Sequence, residues 1–255
     1  MASIVDRSGM GQGAGIASGR LVALDLARSA ALLAMAVFHF VFDLELFGFV
    51  APGTTMLPFW RWLAYLTAGS FLFLVGVGLV LGHGRGIRWR GFFRRFARIA
   101  GAAALITLAT WIAMPDVFIF FGILHCIAAA SLLGLVFLRL PVPILLALGA
   151  FVLWLPNAMR FAAFDAPWFW WTGLQAVGLR SVDYVPIFPW FAPVLFGMAA
   201  ARMMQKAGLW DRLARWEAGE VARALAFAGR HSLAVYLIHQ PVLISLVWLA
   251  AQLRG

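Results

Sequence analysis

The sequence predicts an all-α integral membrane protein, a polytopic bundle of about seven transmembrane helices with its N-terminus in the cytoplasm. Three observations carry this. Of 255 residues, 64% are hydrophobic and only 12% charged, where soluble domains run ~45–50% apolar and ~25% charged. Mean hydropathy is +0.93. Seven stretches are long and apolar enough to cross a bilayer, which takes about 20 residues each. The same numbers exclude a disordered chain.

Residues 1–19 are Gly/Ser-rich and lack periodicity, which predicts a flexible cytoplasmic tail. Residues 20–255 then form a single transmembrane domain. The first apolar run carries charges and is too long for the core of a signal peptide, so it is expected to stay as an anchor. The expected spans are about 21–47, 58–82, 96–114, 117–138, 142–158, 187–204 and 230–251. The fifth is short and flanked by proline. The long connection after it carries Pro167-Trp168-Phe169-Trp170-Trp171 and suits the membrane interface.

The net charge of +10 comes from 20 Lys+Arg against 10 Asp+Glu. These basic residues lie between spans, so topology rather than nucleic acid explains them. Fifteen fall on the side of the N-terminus, including Arg85, Arg88, Arg90, Arg94, Arg95, Arg98 and Arg230; four fall on the other side. The positive-inside rule places the fifteen in a bacterial-type cytoplasm, with the C-terminus outside. An odd number of spans agrees with that.

Other features are bland. The one cysteine, Cys126, permits no internal disulfide. No internal repeat and no Cys/His metal spacing is present, so no metal is expected. Gly76, Gly78 and Gly82 lack the preceding strand and the following Lys-Ser/Thr of a nucleotide loop. Close helix packing through Gly78 and Gly82 is the expected use of these glycines.

Function is legible in the polar residues that a membrane should exclude. Each costs about 2.5–3.5 kcal/mol near the bilayer centre and is a functional candidate by default. Asp25, Arg28, Met35, His39 and Asp43 follow one another at intervals of 3, 7, 4 and 4 residues, which keeps them on one helix face. From Arg28 to His39 is about three turns, roughly 16 Å. Such a stripe must face the bundle interior. His39 and Asp43 stand one turn apart, so the carboxylate is expected to accept one ring N–H and leave the other nitrogen as base or nucleophile. Asp25 and Arg28 pair at the basic end, either as an ion pair or as an anion site. His125, His239 and Arg230 are further candidates for substrate or donor binding. Pro241, two residues after His239, weakens the helix there. His83 and His231 have no role beyond a phosphate contact.

At this point the residues resemble a known family. Leu24-Asp25-Leu26-Ala27-Arg28, through Met35, to His39-Phe40-Val41-Phe42-Asp43-Leu44 is similar to the first helix of bacterial members of the heparan-α-glucosaminide N-acetyltransferase catalytic-domain family. Phe121-Gly122-Ile123-Leu124-His125 follows in order, then Pro189-Trp190-Phe191 with Leu195-Phe196-Gly197-Met198. The last segment is Gly229-Arg230-His231-Ser232-Leu233 with Tyr236-Leu237-Ile238-His239-Gln240-Pro241. The spacing of Arg28 and His39 also resembles the wider transmembrane acyltransferase superfamily. Ser29 departs from the glycine that follows the arginine there, and its presence is expected to be tolerated.

The resemblance implies an acyl-CoA co-substrate, with acetyl-CoA the first candidate, entering from the cytoplasm, and a hydroxyl or amine acceptor, a glycan in the family, on the far side. It implies His39 as general base or acyl carrier, assisted by Asp43. His125, His239 or Gln240 are candidate oxyanion donors. Residues 20–255 are then one acyltransferase-like domain. A proton-coupled secondary transporter using the same Asp/Arg/His set is the alternative, although seven spans do not halve into repeats. A haem carrier with His125 and His239 as axial ligands is disfavoured because neither helix carries a second histidine at depth, and a scaffold leaves the stripe on the first helix unexplained.

Overall fold

The computed structural model describes residues 21–254, so the expected tail at 1–19 lies outside the described residues. The chain runs through nine α-helices in this range. They are α1 (Val22–Leu46), α2 (Pro58–His83), α3 (Trp89–Ala113), α4 (Ile123–Phe137), α5 (Val142–Ala158), α6 (Ile187–Lys206), α7 (Leu209–Arg215), α8 (Glu220–Arg230) and α9 (Ser232–Leu253). Short 3-10 turns join several of them, and one isolated bridge pairs Phe161 with Gln175. Five helices, α1, α2, α3, α6 and α9, are long and apolar enough to cross a membrane; α4 and α5 are apolar but shorter.

Two expected boundaries are corrected. The third helix begins at Trp89 rather than 96, so Arg90, Arg94, Arg95 and Arg98 are helical. Long arginine stems permit this, because they lie along apolar surface while the head reaches polar ground. The fourth helix begins at Ile123 rather than 117, because Pro115 starts a separate turn at Pro115–Val117. The connection after α6 is also more than a loop. It forms α7, docked by Trp210 Nε1 donating to the Ala201 carbonyl at 2.9 Å, and α8. In α8, Ala222, Ala226 and Gly229 share one face while Val221 and Leu225 lie on another. Its charges hide it from a search for uniformly apolar runs.

Lipid is as apolar as leucine, so helices in a membrane gain most from close backbone approach. Small residues provide it. A Cβ on Gly76 of α2 would stand 2.0 Å from the Val194 carbonyl oxygen, and one on Gly197 of α6 would stand 2.1 Å from that of Phe73. The two glycines thus seat α2 and α6 against each other from both sides. Leu72 and Leu79 of α2, Leu145 of α5 and Leu195 and Met198 of α6 fill the core around that seam. Close packing through Gly78 and Gly82 is not found: a Cβ at Gly78 meets nothing within 4 Å, and one at Gly82 meets only the Arg88 guanidinium at 4.0 Å.

α4 is fastened at both ends by other parts of the chain. At its basic end, the Arg202 guanidinium donates to the carbonyls of Leu138 and Leu140. At its other end, Asp183 accepts the Ile123 N–H at 2.9 Å, satisfying one of the free donors of the first turn. Around this cap, the 181–185 segment runs beside 117–121, through Val182 N–H to the Val117 carbonyl and Val185 N–H to that of Phe121. Of the aromatic connection, Trp168 is exposed while Trp170 packs on Phe120.

Two predictions follow from this packing. Gly76→Leu drives a side chain into the α6 backbone and abolishes folding, while Gly78→Leu leaves the thermal unfolding temperature within a few degrees of wild type. Burial pushes the Asp183 carboxyl up to about 6, against the Ile123 hydrogen bond that favours the charged form. A folded-state value above the unfolded one adds stability that is complete below about pH 4 and lost as pH rises through 6. Asp183→Asn keeps an oxygen for the cap. Its unfolding temperature is therefore expected to vary less between pH 4 and 7 than that of wild type.

Candidate functional site

The stripe on α1 faces inward as its periodicity requires. Asp25, Met35 and Asp43 are buried, and Arg28 and His39 are partly buried. Its neighbours are α8 at the basic end and α9 further along.

At the basic end, α8 crosses α1 with almost no space between backbones. A Cβ on Gly229 would stand 1.8 Å from the Asp25 carbonyl oxygen. Ser29 locks the crossing. Its hydroxyl donates to the Leu225 carbonyl at 2.6 Å and accepts the Gly229 N–H at 2.8 Å. In a regular helix those two backbone groups bond each other, so the serine side chain is inserted into the last turn of α8. Ser29 is thus a clamp, not merely a tolerated replacement. Just beyond it, the buried Asp25 carboxylate accepts from Arg28 Nη1 at 2.8 Å and lies 4.0 Å from Arg230 Nε. Asp25 sits between the two arginines.

Both arginines open onto a cavity of about 950 Å³ that enters the bundle from this end. Arg88, Arg94, Arg95 and Arg98 of the α2–α3 turn and α3 line it too, whereas Arg85 and Arg90 do not. Arg88, Gly91, Arg95 and Arg98 recur at intervals of three and four, so one face of α3 delivers them. Arg88 is itself anchored: its N–H donates to His83 Nδ1 at 3.2 Å and its Nε to the Gly82 carbonyl at 3.0 Å. Gly78 and Gly82 form the α2 wall, and their missing side chains leave the cavity open. No acidic side chain lines it among the described residues. Its walls run along α2 from His83 to Phe71, roughly 18 Å. On α9 they reach Tyr236 and Leu237.

One turn past Tyr236 lies the polar centre. His39 Nδ1 and His239 Nε2 are 2.8 Å apart, with the two rings nearly parallel. His239 Nδ1 donates to the Tyr236 carbonyl of its own helix at 2.5 Å. Asp43 Oδ1 accepts from Gln240 Nε2 at 2.8 Å. The expected partnership of His39 with Asp43 is therefore replaced: each reaches across to α9, where adjacent residues meet side chains one turn apart on α1. Asp43 Oδ2 and Gln240 Oε1 are buried there and accept no hydrogen bond among the described residues.

His125 is placed elsewhere. Its Nδ1 accepts the Gly122 N–H at 3.2 Å, and its Nε2 lies 3.1 Å from Thr107 Oγ. The Thr107 hydroxyl already donates to the Ile119 carbonyl at 2.7 Å, so His125 Nε2 must carry the proton. Both ring nitrogens are then used in joining α3 to the start of α4. This leaves His125 no free N–H to offer an oxyanion. His239 has none either, whereas the Gln240 amide has two donors and uses one on Asp43.

Two contributors escaped the sequence reading. Asp183, from a segment 60 residues away, caps the helix that carries His125, and nothing in a charge pattern announces a cap from so far. Ser29 was visible, but its partners were not. Among the described residues, no group of three His, Cys, Asp or Glu side chains is placed to hold a metal.

No curated protein and no solved structure matches the chain. The sequence model of the family described as heparan-alpha-glucosaminide N-acetyltransferase, catalytic, matches residues 20–241. That span takes in the α1 stripe, the arginine-lined cavity and the α1–α9 contacts, and the chain belongs to this family of membrane transferases.

Proposed function

We propose that the protein moves an acyl group, acetyl in the first instance, from cytosolic acyl-CoA to a hydroxyl or amine acceptor, a glycan, on the far side of the membrane. One observation carries this reading: a cavity lined by six arginines, and by no acidic side chain among the described residues, leads from the basic end to Tyr236, one turn before His239, the partner of His39. Arginine forks suit the phosphates of CoA, and the cavity gives the thioester arm a path inward. The seven-span topology completes the reading. With α4 and α5 counted as crossings, the positive-inside rule puts the cavity mouth in the cytoplasm.

The chemistry assigned to the centre is general-base acyl transfer. His39 takes the proton of the acceptor O–H or N–H as that atom attacks the thioester carbonyl. The new C–O or C–N bond forms, the C–S bond breaks, and the CoA thiolate recovers the proton from the imidazolium. The unused acceptor oxygens of Asp43 and Gln240 beside His39 suit a group that brings its own donors, as an amine or a hydroxyl does. Such base assistance is typically worth 10²–10⁴-fold.

Acetyl-CoA binding to the purified protein, followed by calorimetry, is expected in the micromolar range. Arg28→Ala should weaken it at least tenfold, and Gly78→Phe should block it by filling the cavity without touching α6. Equal binding in all three proteins would sink the cavity assignment. Proton flux in liposomes without acyl-CoA, together with no acetyl-CoA binding, would move the assignment to a transporter. His39→Ala should bind acetyl-CoA normally yet release CoA thiol 10²–10⁴-fold more slowly, with glucosamine as the acceptor; undiminished release would remove His39 from the chemistry.

A further inference from the structure

We infer that His239 is a positioning residue that fixes the tautomer of His39; its effect on rate rests on the acyl-transfer reading, its effect on the ring does not. The geometry forces the order of protons. A carbonyl oxygen only accepts, so the 2.5 Å contact with Tyr236 puts the proton of neutral His239 on Nδ1. Its Nε2 then carries the lone pair. The 2.8 Å contact to His39 Nδ1 needs a proton, and it must come from His39. His39 is left with its lone pair on Nε2. The chain of bonds starts at a backbone atom and has one direction only.

The other groups facing His39 support this assignment. On α1, Asp43 stands one turn away, but its Oδ1 takes Gln240 Nε2 and its Oδ2 makes no hydrogen bond, while His39 Nδ1 faces His239. On α9, the Gln240 amide spends one N–H on Asp43 and also lies within hydrogen-bond reach of the His39 ring, where its second N–H suits the lone pair that this tautomer leaves on Nε2. Tyr236 stacks obliquely near His239, with ring centroids 5.6 Å apart. His239 thereby fills the role that the one-turn spacing had predicted for Asp43. Acting through a neutral ring, it orients the base without adding a buried negative charge. Pro241 follows two residues later and has no N–H to give the Leu237 carbonyl, which loosens the helix where His239 folds back on it.

Two substitutions of the same chemistry and different reach test this. The amide of His239→Gln stands where Nε2 stood, so its oxygen can accept from His39. The amide of His239→Asn stands where Nδ1 stood, so it keeps the Tyr236 contact and loses His39. Nitrogen-15 spectra of ring-labelled full-length protein in nanodiscs should show His39 with its proton on Nδ1 in wild type and His239→Gln. In His239→Asn the signal should move toward the Nε2–H form. With acetyl-CoA and glucosamine, kcat should fall about 10²-fold in His239→Asn and less than tenfold in His239→Gln, with KM for acetyl-CoA unchanged in both. An unchanged His39 tautomer in His239→Asn overturns the inference, as does a wild-type ring protonated on Nε2. If the tautomers behave as stated but wild type transfers no acetyl group, positioning stands and the acyl-transfer reading fails.

Discussion

Polar atoms inside a membrane must find partners within the protein, and the contact between α1 and α9 is organised by that demand. α9 packs lightly: Val247 alone is fully buried along its 22 residues, with Leu233, Tyr236 and Leu237 partly buried against the core. Its register against α1 is set by two polar cross-links, His239 on His39 and Gln240 on Asp43. Hydrogen bonds of this kind are worth about 1 kcal/mol each in membranes, which is modest for stability. Their directionality decides register more than their energy does, because slippage by one residue would strand a histidine and a carboxylate in hydrocarbon.

The basic end uses the same logic at shorter range. α8 approaches α1 until backbones touch, which only Gly229 permits. Ser29 bonds both backbone groups that its insertion separates. The buried Asp25 then holds Arg28, with Arg230 close by, at the wall of the cavity. A carboxylate behind two arginines offsets part of their mutual repulsion and aims them, so the charge offered to an entering anion is preorganised. The cavity and the histidine pair therefore hang on one helix, α1, whose two ends are gripped by different partners.

Much of this was legible in residue order. The 3, 7, 4, 4 spacing named the inward face of α1, and the structure buries it. The run of arginines from Arg85 to Arg98, at the start of α3, marked the basic end. What could not be read were choices between partners. His39 and Asp43 are one turn apart, and a local pair is the natural expectation, yet both side chains point across to α9. Gly78 and Gly82 looked like packing residues, while nothing singled out Gly76 for that role. Only Gly76 faces α6, while the other two face an opening. A glycine's absent side chain is consistent with contact or with vacancy, and sequence does not distinguish them.

The sequence alone determined the membrane class, the helical stripe and the family, because hydropathy, periodicity and ordered motifs are properties of the chain read along its length. The tertiary structure decided which helix answers each polar group. It turned His125 into a clamp of the α3–α4 turn, gave His39 a partner 200 residues away, and brought Asp183 to the start of α4 from the far side of two helices. These are contacts between segments whose separation along the chain carries no information about distance. They are settled by which backbones can approach, and small residues such as Gly76, Gly197 and Gly229 set that approach.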